Sequence, residues 1–140
     1  MILERGRRVY DYNGASNSGF VVSQKFKDIV EEFDKDEHQF FQVEILNGDH
    51  SPYAGGNYYL MHVRQPLDTI ITDGSDLQQV MPLSKEPEHK KNLHVGAYSH
   101  FTVSAERVNG AGLWLEVRAG THYFASEALL QRFKEEDVQG

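Results

Sequence analysis

Two segments near opposite ends of the chain follow one plan, and that plan constrains the fold more than any other feature. In "FVVSQKFKDIVEEF" an apolar run ends at Ser23, and Phe26, Ile29, Val30 and Phe33 then recur at the i, i+3, i+4, i+7 spacing of one helix face. In "YFASEALLQRFKEE" a second run ends at Ser126, and Ala128, Leu129, Leu130 and Phe133 supply the apolar side of a second helix. A serine between a strand and a helix is a good N-cap, because its hydroxyl accepts from an amide that lacks a partner in the first turn. A nucleophile elbow is a poor fit: it needs small residues two positions either side of the serine, and neither Ser23 nor Ser126 has the paired glycines. The repeat is therefore read as a structural brace used twice.

Between the braces the pattern is mostly that of strands. Phe41, Val43 and Ile45 alternate with Gln42 and Glu44, the period of a half-buried strand whose apolar side faces the core. "YYLMHVR" over residues 58–64 reads as a second strand, and Pro66 limits how far its pairing continues. Residues 93–103 and 112–118 read as further strands, the latter with Leu113, Leu115 and Val117 on one face and Trp114, Glu116 and Arg118 on the other. Val9, Tyr10, Asp11 and Tyr12 suit a short early strand. Consecutive strands without helical crossovers predict an α+β single domain, a mostly antiparallel sheet with two serine-capped amphipathic helices. Residues 1–19, rich in Gly, Asn and Ser, are expected as an irregular lead-in and residues 20–140 as the domain. "PLSKEPEHKKN" over residues 82–92 combines two prolines with a run of charges and is expected to be the least ordered internal stretch.

At 140 residues the chain suits one hydrophobic core. Fourteen Lys and Arg against 21 Asp and Glu give a net charge of -7, the wrong sign for binding a phosphate backbone, so nucleic acid is not expected as a partner. No window is apolar enough to span a bilayer, and Arg5, Arg7 and Arg8 occupy the place of a signal peptide's apolar region, so no membrane partner and a cytoplasmic location are expected. The absence of cysteine excludes disulfides and thiolate metal ligands. No glycine framework for a phosphate cradle is present either.

Two features are candidates for recognition. The acidic run Glu31, Glu32, Asp34, Asp36 and Glu37 lacks the alternating ligand order of a calcium loop, and carboxylates at a helix C-terminus oppose the helix dipole. Such a run speeds association with a cationic protein. The turn-rich loop "NGDHSPYAGGN" offers His50, Tyr53 and Asn57, since loops on a rigid scaffold often carry recognition. No catalytic constellation or cofactor motif is found. The rival readings are a small metal-dependent hydrolase using strand-borne His62, His94 and His122, and a structural homo-oligomeric subunit anchored by exposed Tyr53, Tyr58 or Trp114.

Four segments, in order, carry a resemblance to a known family: "FVVSQKFKDIVEEFDKDEHQFFQVEI", "YYLMHVRQPLDTII" with a serine shortly after, "LWLEV" and "YFASEALLQRFKEEDVQG". Together they resemble immunity-protein family eleven of bacterial polymorphic toxin systems, over about residues 20–140. The family's pattern commonly runs past the closing glycine into a short apolar tail. This sequence stops at Gly140, which leaves a truncated or a short member as alternatives. The resemblance implies a non-enzymatic antitoxin that binds and neutralises a cognate toxin protein, with no catalytic residues carried over; a homodimer is compatible with it.

Overall fold

The Ser23 junction organises the main sheet. In the computed structural model, which describes residues 8–15, 19–73, 75–76, 78–79, 93–94, 100–119 and 122–140, four strands pair antiparallel in the order β1-β2-β4-β3. They are β1 (Tyr12–Ala15), β2 (Gly19–Ser23), β3 (Gln39–Val43) and β4 (Tyr58–His62). Helix α1 (Gln24–Phe33) leaves β2 at Ser23, whose Oγ accepts from the Phe26 amide at 3.2 Å. Phe26, Ile29 and Val30 then meet Val22, Met61, Val63 and Leu113 in the main core. The sheet's other face carries a smaller cluster of Val9, Val21, Ile45 and Tyr58, with Val43, Tyr53 and Leu60 packed against it. The early strand therefore lies at residues 12–15 rather than 9–12, inside the expected lead-in, and Val9 is a buried core residue.

Pro66 marks a change of sheet. It opens β5 (Pro66–Leu67), which pairs parallel with β10 (Leu113–Glu116), itself antiparallel to β11 (Tyr123–Ala125). Two short antiparallel pairs follow the same order of chain: β6 (Ile70–Ile71) with β9 (Thr102–Val103), and β7 (Gln78–Gln79) with β8 (Leu93–His94). The expected strand over residues 93–103 is thus two short strands, with residues 95–99 outside the described part, as is the stretch 82–92. The short helix α2 (Ala105–Val108) connects β9 to β10.

The second brace closes the domain. Ser126 caps α3 (Glu127–Glu135) by accepting from the Leu129 amide at 3.2 Å. Caps of this kind stabilise a helix by about 1 kcal/mol. The two serine-capped helices lie side by side: the Phe26 and Phe133 rings stack with centroids 4.6 Å apart, and Arg132 grips the Glu32 carboxylate with two nitrogens. Of the expected α3 stripe only Leu129 is fully buried and Phe133 half-buried, while Ala128 and Leu130 face solvent. The tail returns to the first strand, where Gln139 accepts from the Tyr12 amide and donates to Asp11. The architecture is α+β, mostly antiparallel, with two serine-capped amphipathic helices. Among the described residues no helix is long and apolar enough to cross a membrane.

Burial along the 112–118 stretch does not alternate: Leu113 and Trp114 are both buried and Leu115 is half-buried. The strand stops at Glu116, a 3-10 turn carries residues 117–119, Val117 is exposed, and Glu116 and Arg118 are buried. The reason is hydrogen bonding. Glu116 accepts from the Thr69 amide and hydroxyl at 2.8 and 2.7 Å, and Arg118 donates to Asp68 at 2.6 Å and to the Ile70 carbonyl. A buried charge is tolerated where its hydrogen bonds are made.

Candidate functional site

The acidic run does not form one exposed face. Glu31 pairs with Lys27 one turn earlier at 3.2 Å, and Glu32 is held by Arg132 of α3. Asp34 is buried: its carboxylate accepts from the Gly112 and Leu113 amides at 2.8 and 2.7 Å, from the Gln65 amide group at 3.4 Å and from His38 Nε2 at 3.2 Å. His38 in turn accepts from the Arg64 amide through Nδ1 at 3.4 Å, which places its proton on Nε2. Asp34 therefore locks the end of α1 to the start of β10 and is withdrawn from any docking face. Glu32 is exposed as well as paired, and Asp36 and Glu37 stand exposed in the turn before β3, with Asp36 in the left-handed backbone region at φ 61°.

The loop after β3 is built rather than loose. Leu46 bridges Pro52, the Tyr53 amide donates to the Ile45 carbonyl at 2.9 Å, and the Asn47 amide donates to the Ser51 carbonyl at 2.8 Å. Inside this hairpin the Asp49 carboxylate accepts from the Ser51 hydroxyl and amide, and the hydroxyl bond foremost holds its carboxyl below the usual range. His50 stands exposed at the tip with φ 66°. Tyr53 is half-buried against Tyr58, ring centroids 6.1 Å apart. Asn57 is exposed, and its carbonyl accepts from the Gln24 amide at 3.0 Å.

The two candidate features lie at opposite ends of β3. Gln39 pairs with His62 and Val43 with Tyr58, so the Asp36–Glu37 turn adjoins one end of β4 and the hairpin the other. Five residues of strand span roughly 17 Å. What lies between is β3, an edge strand of the sheet, which among the described residues pairs with β4 on one side only. Its Phe41, expected in the core, is 53% exposed, because it sits on the smaller cluster's side of the sheet where that cluster ends. From Asp36 to Val63 the chain carries four acids, Asp36, Glu37, Glu44 and Asp49, and no Lys or Arg.

His62 is exposed on β4, His122 precedes β11 in the other sheet with Nδ1 3.0 Å from the Ala119 carbonyl, and His94 lies on β8 with its side chain outside the described part. Among the described residues no three His, Asp or Glu side chains are grouped to hold a metal ion. The aromatic anchors of the homo-oligomer reading are largely internal: Tyr58 and Trp114 are 6% and 4% exposed, Trp114 with its Nε1 donating to Thr69 at 3.2 Å. Neither can present a ring to another subunit without unpacking the core.

The chain belongs to the Imm11 immunity protein family, whose match spans residues 3–140 and so nearly all of it. No curated protein matches the chain.

Proposed function

We propose that this protein neutralises a cognate bacterial toxin by binding it, without catalysis of its own. The observation that carries the reading is membership of an immunity protein family over residues 3–140. The cation-free stretch from Asp36 to Val63 supports a partner with a basic surface, since complementary charge steers encounter and raises association rates. Asp36 and Glu37 at one end, and His50, Tyr53 and Asn57 at the other, are the proposed contacts. Glu31 and Glu32, already paired within the protein, contribute to the field more than to contact. The work is placed in the cytoplasm of the cell that would otherwise be poisoned.

The test is co-expression with the toxin domain encoded beside the gene, scoring host growth and then co-purification. Rescue of growth with a stable complex is the expected result. A toxin that kills with this protein abundant and folded in the same cell, and that does not co-purify with it, would refute the reading.

A further inference from the structure

Which backbone groups of β3 face outward follows from the alternation of antiparallel ladders. The Ser23 amide donates to the Asp11 carbonyl at 2.8 Å, so β2 turns the polar groups of Val21 and Ser23 toward β1. Those of Phe20, Val22 and Gln24 turn toward β4, and the Gln24 amide indeed donates to the Asn57 carbonyl. By the same alternation β4 offers Tyr58, Leu60 and His62 to β3, whose bonded partners are Val43, Phe41 and Gln39. The amide and carbonyl groups of Phe40 and Gln42 therefore point away from the sheet, and no described residue is hydrogen-bonded to them.

An unpaired edge of this kind is usually defended by a proline, a lysine, a bulge or a covering segment. β3 has the sequence "QFFQV", with neither proline nor lysine, and its register with β4 runs one to one over all five residues, so it has no bulge. Beside that edge sits the exposed Phe41, and acids lie beyond both ends.

Resting on the immunity reading above, we propose that β3 is where the partner binds: an extended segment of the toxin adds to the sheet as a further strand, paired with Phe40 and Gln42, covering Phe41 with an apolar side chain and carrying Lys or Arg at its flanks. Main-chain bonds of this kind give affinity, and side chains at alternate positions give specificity. The charge argues against a second copy of this chain as the occupant. In a two-fold antiparallel pairing centred on Phe41, Glu44 of one copy falls opposite His38 of the other, beside Glu37, and like charges across a strand pair are unfavourable. A basic strand meets the same acids favourably.

Gln42→Pro is the direct test, because its lost amide points outward and the β3–β4 ladder keeps its bonds. Gln42→Ala, which keeps the backbone donor, is the control. Binding is measured by titration calorimetry against the neighbouring toxin domain made inactive by mutation, with thermal unfolding of each variant alongside. The expected result is a tenfold or greater loss of affinity for Gln42→Pro and less than a threefold change for Gln42→Ala. Hydrogen exchange on the wild-type chain gives a second readout independent of that variant's folding: the Phe40 and Gln42 amides slow tenfold or more in the complex. Tight wild-type binding with those two amides unprotected overturns the strand assignment and leaves the immunity reading intact. A wild-type chain that neither binds nor rescues removes both. Self-association of the wild-type chain that Gln42→Pro abolishes would assign the edge to a second copy and overturn the toxin as its occupant.

Discussion

Asp34 and Leu113 are 79 residues apart in sequence and joined by a 2.7 Å bond from the Leu113 amide to the Asp34 carboxylate. With Gly112 donating to the other oxygen, the carboxylate caps the start of β10 much as a serine caps a helix. Asp34→Ala would leave two buried amides and His38 without their acceptor, while Gln65 keeps the Leu113 carbonyl at 3.0 Å. Losing one partner of a buried charged network costs about 3–5 kcal/mol. Urea unfolding of Asp34→Ala is expected to show a loss of that order, with Asp34→Asn intermediate because it keeps one acceptor and turns a donor against an amide. Near-wild-type stability of Asp34→Ala would show that the domain does not depend on this junction.

Glu116 offers a second test with its own reporter. Trp114, the only tryptophan, donates to the Thr69 hydroxyl, which donates to Glu116. Glu116→Gln retains the volume and one acceptor and should cost about 1–2 kcal/mol; Glu116→Ala adds a cavity and unpaired groups at Thr69, for about 3 kcal/mol or more. Glu116→Ala should shift the folded-state tryptophan emission, because the hydroxyl that Trp114 contacts loses its anchor, and Glu116→Gln should shift it less, because one acceptor remains. Unshifted emission in Glu116→Ala would mean that Thr69 is positioned by its other neighbours.

Asp11 predicts how stability depends on acid. Burial pushes its carboxyl up, but the Ser23 hydroxyl at 2.6 Å, the Gln139 amide and Lys25 together outweigh burial and hold it below 3.8. A folded-state value below the unfolded one contributes stability that is fully present above about pH 4 and lost as pH falls through the folded value. Ser23→Ala removes the principal bond and the cap of α1 together. The gap between its urea midpoint and that of the wild type should be largest near pH 6 and narrow as pH falls through the folded value, leaving the cap's contribution of about 1 kcal/mol. A gap that does not vary with pH would separate Asp11 from the brace.

The two serine braces were legible because capping and helical periodicity are local: a hydroxyl and an amide three residues apart need no knowledge of the rest of the chain. Asp34 and Glu116 were not legible for the opposite reason. A carboxylate in a charged stretch reads as solvated surface, and the amides that make its burial tolerable come from Gly112, Leu113 and Thr69, far away in sequence. Phe41 failed more subtly. Alternation identifies a strand and its two faces, yet whether the second face is covered depends on what else reaches it, and here Val9, Ile45 and Tyr53 cover the middle of the sheet and stop short of its edge. The family segments fall on β2–α1–β3, β4–β5–β6, β10 and β11–α3, so the resemblance followed the pieces that build both cores.

The division of the acidic run leads to a graded prediction for association. Reversing Asp36 and Glu37 to lysine changes two exposed charges beside the β3 edge and disturbs no ion pair found in the described residues, whereas reversing Glu31 and Glu32 breaks the Lys27 and Arg132 pairs as well. Steering depends on the field at the docking surface, screened over about 10 Å at 0.1 M salt. Stopped-flow mixing with the inactivated toxin at low ionic strength should therefore show Asp36→Lys/Glu37→Lys slowing association by about tenfold. The deficit should shrink at 0.5 M salt, and dissociation should change little. Glu31→Lys/Glu32→Lys should slow association less and lower the unfolding temperature more, because Glu31 pairs with Lys27 within α1 and Glu32 ties α1 to α3 through Arg132. An equal loss of on-rate in both double variants would mean that net charge alone governs encounter, with the position of the acids immaterial.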